Sequence, residues 1–246
     1  MPLLELIGVT KRFGGLVAVN KVNMRVEEGE FIGVVGPNGS GKTTLFNLIN
    51  GVYFPDEGKI LFNGRDITKL APYKRAPLGI GRTFQIPRPF LSATVLENVA
   101  VGAMFGRLGT NLGIDEAFEI ADQVINRLNF QTLRDKIASN LTPIEKKMME
   151  IARALAMKPR LLLMDEAMAG MHPGSINEMV GFLKQVAVEE KIAVVSMVEH
   201  IMRAVVGMAE RVVVLHQGSI IVDAPTKDAL TDPKVVEVYL GKASEE

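Results

Sequence analysis

The strongest chemical signal in this 246-residue sequence is a glycine-rich segment that ends in lysine and threonine. It fits the pattern G-x-x-x-x-G-K-[ST] in full, with Gly36, Pro37, Asn38, Gly39, Ser40, Gly41, Lys42 and Thr43. Such a loop curls so that its N–H groups point at phosphate oxygens, and the helical run predicted at residues 44–49 would add its positive end. Lys42 would neutralise phosphate charge, Thr43 would bind Mg²⁺, and Thr44 is an extra phosphate contact. The segment predicts a nucleoside triphosphate site; the alternative is a glycine-rich turn with a solvated lysine.

Two adjacent carboxylates follow the apolar run at residues 161–164. Ligands bind at the carboxyl edge of parallel sheets, so Asp165 is suited to hold the Mg²⁺ shell and Glu166 to polarise a water that attacks the γ-phosphate. The alternative is that both acids mark a strand-to-loop exit. His200 follows the apolar run 193–198 in the same edge position and could position that water, although a lone histidine is more often structural.

Bulk composition narrows the classes of function. Lys+Arg and Asp+Glu both number 28, so no net charge attracts nucleic acid, and we expect no nucleic-acid partner. The chain has no cysteine and only 3 histidines, which excludes disulfides, thiol catalysis and cysteine-rich zinc sites and favours a cytosolic setting. Its apolar runs are far shorter than the roughly 20 residues of a membrane-spanning helix, so we predict none.

Hydrophobic patterning indicates the elements that must position these residues. Alternating apolar and polar residues predict half-buried antiparallel strands, whereas continuous apolar runs predict buried parallel strands. The first group is residues 4–9, 22–26 and 59–62, and the second is residues 31–35, 161–164 and 193–198. Residues 92–157 have helical patterning with a glycine-containing break at 102–113, and a Gln-Gly turn between residues 215 and 220 predicts a hairpin.

In this order the motifs resemble the ATP-binding subunits of ABC transporters over almost the whole chain. The resemblance implies an α/β fold: a P-loop NTPase (RecA-like) core with an N-terminal antiparallel β subdomain and an inserted helical subdomain. It implies one ABC ATPase domain, 1–246, with the core at 1–91 and 158–246 and the helical subdomain at 92–157. It also implies that Phe13 stacks on adenine, that Gln85 contacts Mg²⁺ and water, that residues 169–172 form the D-loop, and that His200 is the switch histidine.

Two segments, residues 81–85 and 232–241, resemble the corresponding segments of the ATPases of branched-chain amino acid importers. Closely similar ATPases serve urea or amide uptake, and lipopolysaccharide-export ATPases share the C-terminal style. Another alternative is a soluble ABC ATPase acting on nucleic acid or ribosomes. The resemblance implies ATP and Mg²⁺ as cofactors, transmembrane permease subunits and indirectly a solute-binding protein as partners, and a peripheral position on the cytoplasmic face of the membrane.

One segment departs from the family pattern. The family signature, usually Leu-Ser-Gly-Gly-Gln, aligns with Leu141, Thr142, Pro143, Ile144 and Glu145, so both glycines are missing. Thr142 and Glu145 fit a capping box, and an apolar stripe from Ile144 onward predicts core packing. In relatives this helix end contacts the γ-phosphate held by the opposite subunit. Pro143 offers no N–H and Glu145 brings negative charge, so we expect a weaker contact with that phosphate. We therefore predict a heterodimer with a related ATPase that carries a fuller signature; a homodimer is the alternative.

Overall fold

The computed structural model describes residues 1–109, 112–197 and 209–240. The chain divides into two compact units, one comprising residues 1–71 with the chain from residue 187 onward and the other comprising residues 72–186. The predicted subdomain boundaries at residues 92 and 157 stay a prediction.

Within the described ranges, strands and α-helices are interspersed along the chain. The strands are β1 (Leu4–Phe13), β2 (Leu16–Val26), β3 (Phe31–Val35), β4 (Glu57–Phe62), β5 (Arg65–Asp66), β6 (Ile80–Arg82), β7 (Leu161–Asp165), β8 (Ala193–Met197), β9 (Arg211–His216) and β10 (Ser219–Pro225). The helices are α1 (Lys42–Asn50), α2 (Pro72–Arg75), α3 (Val95–Phe105), α4 (Ile114–Arg127), α5 (Pro143–Ala156), α6 (Pro173–Glu190), α7 (Thr226–Thr231) and α8 (Pro233–Leu240).

The first unit begins with an antiparallel sheet of order β2-β1-β4-β5. In β1, Leu4, Leu6 and Val9 are all at most 1% exposed while Glu5 and Ile7 are more accessible, which is the alternation expected of a sheet with one face in the core. The antiparallel strands predicted from residues 4–9, 22–26 and 59–62 are therefore confirmed.

A second sheet of the first unit leads into the glycine-rich loop. Strand β3 is buried along its whole length and pairs in parallel with β8 on one side and β9 on the other. Strands β9 and β10 form the predicted hairpin, and its turn residues Gln217 and Gly218 have φ of 45° and 80°. Positive φ at both turn residues matches the right-handed twist of the strands. The sheet thus fixes β3, whose last residue precedes Gly36.

The second unit combines helices α3, α4 and α5 with the parallel pair β6 and β7. The predicted helical stretch is confirmed, but the break is shorter than predicted because α3 continues through Gly102 to Phe105. A Cβ at Gly102 would lie 2.1 Å from the Arg153 carbonyl oxygen of α5. Gly102 is therefore required for the close approach of two helices, not for a turn.

No helix within the described ranges combines the length and apolar character needed to cross a membrane.

Two glycine substitutions test the α3–α5 contact. Gly102→Ala should lower the free energy of unfolding by about 1–3 kcal/mol, because the added methyl overpacks the helix pair despite the better helix propensity of alanine. Gly181→Ala in α6 is the matched control, since a Cβ there meets no described atom within 4 Å. It should raise stability by up to about 1 kcal/mol. Urea unfolding measures both, and a stabilising effect of Gly102→Ala would contradict the close approach.

Candidate nucleotide site

The glycine-rich loop joins the end of β3 to the start of α1 in the first unit. Gly36 and Gly41 have φ of 154° and 105°, where residues with a side chain are strained. A Cβ at Gly36 would lie 2.2 Å from the Leu215 carbonyl oxygen, and one at Gly41 would lie 2.3 Å from the Ala18 carbonyl oxygen. These two positions therefore admit only glycine, which explains the spacing of the sequence pattern.

The loop leaves hydrogen-bond donors for an anion. No side chain caps the N-terminus of α1, whose N-cap is Gly41. The Ser40 hydroxyl is buried and has no hydrogen-bond partner among the described residues. A buried polar group without a partner costs free energy, and a phosphate oxygen would satisfy it together with the first N–H groups of the helix. The residues present therefore fit a bound phosphate group.

Lys42 is held inside this loop. Its side chain is only 4% exposed, and Nζ donates hydrogen bonds to the carbonyl oxygens of Gly36 at 2.7 Å and Pro37 at 3.1 Å. Thr43, the next residue, is exposed. The Lys42 ammonium group is thus held by the loop itself, whereas Thr43 is accessible; their roles in binding phosphate and Mg²⁺ stay predictions.

Phe13 lies at the end of β1 with 42% of its surface exposed. Its ring makes an edge-on contact with Tyr53, with centroids 5.2 Å apart and planes at 72°. An exposed, braced ring suits stacking on a planar base. The predicted adenine contact of Phe13 stays a prediction, and Tyr53, 40 positions away in the sequence, was not foreseen.

In the second unit the structure brings two predicted catalytic residues together. The Gln85 Nε2 atom donates a hydrogen bond to Oε2 of Glu166 at 2.9 Å, although 81 positions separate them in the sequence. Glu166 directly follows β7 and has φ of 48°, in the left-handed region that costs a residue with a side chain about 1–3 kcal/mol. Six other non-glycine residues in the described ranges also have positive φ, so it is the contact with Gln85, and not the φ of Glu166, that singles out this position.

Asp165 is buried and paired with an arginine that the sequence analysis did not connect to it. Its Oδ2 accepts a hydrogen bond from Arg82 at 2.8 Å, and both side chains are about 5% exposed. The Asp165 backbone N–H also donates to the Thr83 hydroxyl at 3.2 Å. A Mg²⁺ ion bound by Asp165, as predicted, would share this carboxylate with Arg82.

Lys147 of α5 is a further residue that sequence reasoning missed. Its Nζ donates to the carbonyl oxygens of Ala169 at 2.6 Å and Glu166 at 3.4 Å. Burial lowers the pKa of this ammonium, while the nearby Glu166 and Glu150 carboxylates oppose that shift. Helix α5 therefore fixes the backbone at both ends of residues 166–169. Contacts to carbonyl oxygens leave no signature in the sequence, so no pattern could have revealed them.

The capping box at the start of α5 is confirmed. The Thr142 hydroxyl accepts from the Glu145 N–H at 3.2 Å, and Glu145 Oε2 accepts from the Thr142 N–H at 2.7 Å. Lys136 lies 3.2 Å from the same carboxylate, and the Thr142 N–H contact together with Lys136 lowers the pKa of Glu145. The negative charge of Glu145 is therefore compensated within the chain, which weakens the predicted repulsion. The expected core packing of Ile144 is wrong, because that residue is 45% exposed.

Two predicted site histidines differ in what the structure describes of them. His200 lies outside the described residues. The main-chain N–H of Gly174 donates to Nδ1 of exposed His172 at 3.3 Å, so this D-loop histidine serves a local turn. Within the ranges that the structure describes, no group of three or more His, Asp or Glu side chains has a metal-binding arrangement.

Residues 19–169 match the family model described as ABC transporter. The chain belongs to this family. It is 39% identical to the probable branched-chain amino acid transport ATP-binding protein LivG of Archaeoglobus fulgidus, over 100% of this chain and 98% of that protein. It is 35% identical to the high-affinity branched-chain amino acid transport ATP-binding protein BraF of Pseudomonas aeruginosa, over 98% and 99% of the two chains.

Solved structures agree with this assignment. A nucleotide-free ATP-binding cassette from an ABC transporter superposes with a TM-score of 0.88 at 33% identity, covering 98% of this chain and 100% of that one. A dimeric cassette bound to ADP and Pi superposes with a TM-score of 0.81 at 25% identity, covering 91% and 98%. The predicted P-loop NTPase fold class is confirmed, and the chain is an ATP-binding, ATP-hydrolysing subunit of an ABC transporter. Subunits of this family work with permease components and dimerise.

Removal of the arginine beside Asp165 tests the buried ion pair. Arg82→Met should lower the free energy of unfolding by about 3–5 kcal/mol, because it leaves an uncompensated buried charge. The double variant Arg82→Met with Asp165→Asn should recover part of this loss, since the amide carries no charge. Urea unfolding of wild type, the single variants Arg82→Met and Asp165→Asn, and the double variant gives the coupling energy. Strictly additive losses would show that the two side chains do not interact.

Proposed function

We propose that this ABC ATPase binds MgATP at its glycine-rich loop and hydrolyses it with Glu166 to drive uptake of branched-chain amino acids or similar small polar solutes. The observation that carries the hydrolytic part is the hydrogen bond between Gln85 and Glu166. The solute assignment is supported by the full-length likeness to LivG and BraF, which are named for branched-chain amino acid transport.

The phosphate groups of ATP are assigned to the first unit. The N–H groups of residues 36–43, the orphaned Ser40 hydroxyl and the Lys42 ammonium supply donors and positive charge, with Thr44 as an added contact. Phe13 supplies a stacking surface for adenine. Thr43, Gln85 and Asp165 are the proposed Mg²⁺ ligands, and a bound Mg²⁺ would neutralise the charge that develops on the phosphates.

Hydrolysis is assigned to the Glu166 carboxylate. A carboxylate that accepts a hydrogen bond from a water molecule makes that water a better nucleophile toward the γ-phosphorus. The Gln85 amide fixes one oxygen of Glu166, and the strained backbone at Glu166 together with Lys147 fixes the base of the side chain. We propose that His200 positions the same water molecule.

The assembly we propose is peripheral to the membrane, at its cytoplasmic face. Permease subunits would carry the solute, and a solute-binding protein would act on this chain only through them. The exposed apolar side chains of Ile86, Phe90 and Leu91, which follow Gln85, are 77%, 53% and 56% exposed, and they support a contact with a partner of apolar surface in this region.

The second ATPase subunit is proposed to differ from this one. The segment that contacts the opposite subunit's γ-phosphate in relatives lacks both glycines here, Pro143 has no N–H, and the Glu145 side chain occupies the Thr142 N–H. Fewer donors then remain for the phosphate in the partner's site. A related ATPase with a complete signature would restore one efficient site, formed with Lys42 and Glu166 of this chain.

Replacement of the proposed hydrolytic carboxylate tests the catalytic assignment. Glu166→Gln should keep ATP binding and lower kcat by roughly 10²- to 10⁴-fold, the usual contribution of general base catalysis. Phosphate release measures turnover, and a fluorescent ATP analogue measures binding. Glu178→Gln, an exposed glutamate on α6, is the control and should match wild type. Unchanged hydrolysis in Glu166→Gln would refute the assignment.

Reconstitution with membrane components tests the partner and the solute together. Proteoliposomes would contain permease subunits that co-purify with the chain, its binding protein, and either this ATPase alone or this ATPase with the related one. We expect ATP hydrolysis and uptake of radiolabelled leucine to be at least about tenfold higher with both ATPases, because removing donors to a developing phosphate charge costs that much or more.

The outcomes separate the two parts of the proposal. High ATPase activity of the chain alone would contradict the heterodimer. Uptake of urea without uptake of leucine would contradict the solute, and solute leaving the vesicle lumen toward the side of the binding protein would indicate export.

A further inference from the structure

A buried carboxylate holds the loop that carries Gln85. Glu150 lies on α5 and is only 2% exposed. Its Oε2 accepts a hydrogen bond from the Phe84 backbone N–H at 3.1 Å, and its Oε1 accepts one from the Arg88 backbone N–H at 3.4 Å. The two oxygens thus bind the two ends of residues 84–88, and Gln85 lies between them.

Arg153, one turn further along α5, completes this clamp. It donates to Oε1 of Glu150 at 3.1 Å and to the Arg88 carbonyl oxygen at 3.0 Å. Its guanidinium compensates the buried Glu150 charge while it binds the loop directly. Burial raises the pKa of Glu150, and the backbone N–H contacts and Arg153 oppose that shift.

The ring of Phe84 is held at the same end of the loop. The guanidinium groups of Arg82 and Arg88 lie 5.0 Å and 5.3 Å from its centre. Such contacts add about 0.5–1 kcal/mol each at accessible sites. The conformation of residues 84–88 is therefore determined by its surroundings, whereas the Gln85 side chain itself is exposed and reaches Glu166.

We propose that Glu150 is a positioning residue for ATP hydrolysis: it holds residues 84–88 so that the Gln85 amide meets the Glu166 carboxylate. The proposal rests on the proposed function, because it acts through the same two residues. Glu150 itself touches neither nucleotide nor water in this scheme. Its effect is to fix a donor relative to the group that polarises the water, and small displacements of such groups are costly to catalysis.

The first experiment separates positioning from folding. In Glu150→Gln one acceptor oxygen becomes a donor, so one of the two loop N–H groups loses its partner. We expect kcat to fall roughly 10- to 100-fold with the KM for ATP changed less than about threefold, and faster hydrogen exchange at the Phe84 and Arg88 amides. Glu116→Gln is the matched control, because Glu116 also accepts a backbone N–H, from Gly113 at 2.8 Å, at the start of α4.

A double-mutant cycle with Gln85→Ala tests the route of the effect. If Glu150 acts through Gln85, adding Glu150→Gln to Gln85→Ala should lower kcat by less than about twofold, whereas independent effects would multiply. Arg153→Lys gives a second cycle with Gln85→Ala. Lysine keeps the positive charge beside Glu150 but lacks the two guanidinium nitrogens that bind Glu150 and the Arg88 carbonyl oxygen at the same time. This variant should give a smaller loss of kcat that is likewise absent in the Gln85→Ala background.

The failures are distinguishable. Multiplicative losses, or unchanged amide exchange at Phe84 and Arg88, would overturn the positioning role while the proposed hydrolysis by Glu166 stands. Unimpaired turnover in Glu166→Gln would instead refute the proposed function, and the amide exchange would still decide whether Glu150 holds the loop.

Discussion

A carboxylate taken out of water must be paired, and the second compact unit is organised by two of them. Asp165 ends a buried strand and Glu150 lies on the buried face of α5. An uncompensated charge at either place would cost several kcal/mol. Arg82 meets the first, and Arg153 with two loop N–H groups meets the second. The contacts that remove this cost are also the ones that fix the strand end and the Gln85 loop, so stability and alignment have a common origin.

In the first unit the charge that needs compensation is positive, and it lies in the glycine-rich loop. A loop built to bind phosphate collects N–H groups and a lysine in one place, which leaves it positively charged when alone. Two carbonyl oxygens of the loop accept hydrogen bonds from the Lys42 ammonium group and so compensate part of its positive charge. The buried Ser40 hydroxyl, by contrast, has no hydrogen-bond partner within the described residues. The loop is thus held in a curled shape by its own lysine, and bound phosphate would reuse that shape.

Features set by neighbours in the sequence could be predicted from it. The alternation in β1 and β2, the strand before Gly36, the Gln-Gly hairpin and the Thr142 capping box all depend on residues a few positions apart. The pairing of Arg82 with Asp165 joins positions 83 apart, and the contact of Gly102 with α5 depends on which helices pack. Neither leaves a periodic signal. Gln85 and Glu166 were found as separate motifs, but their contact required the fold. Ile144 was misassigned because periodicity tells which residues share a helix face but not where the packed surface ends.

The left-handed backbone at Glu166 has a consequence for selection. Glycine adopts that conformation without strain, so replacement there would relieve part of about 1–3 kcal/mol while removing the carboxylate. A screen for thermal tolerance and a screen for turnover would therefore choose different residues at this position. On its proposed role as the hydrolytic carboxylate, Glu166 would be a residue that activity favours and backbone stability does not.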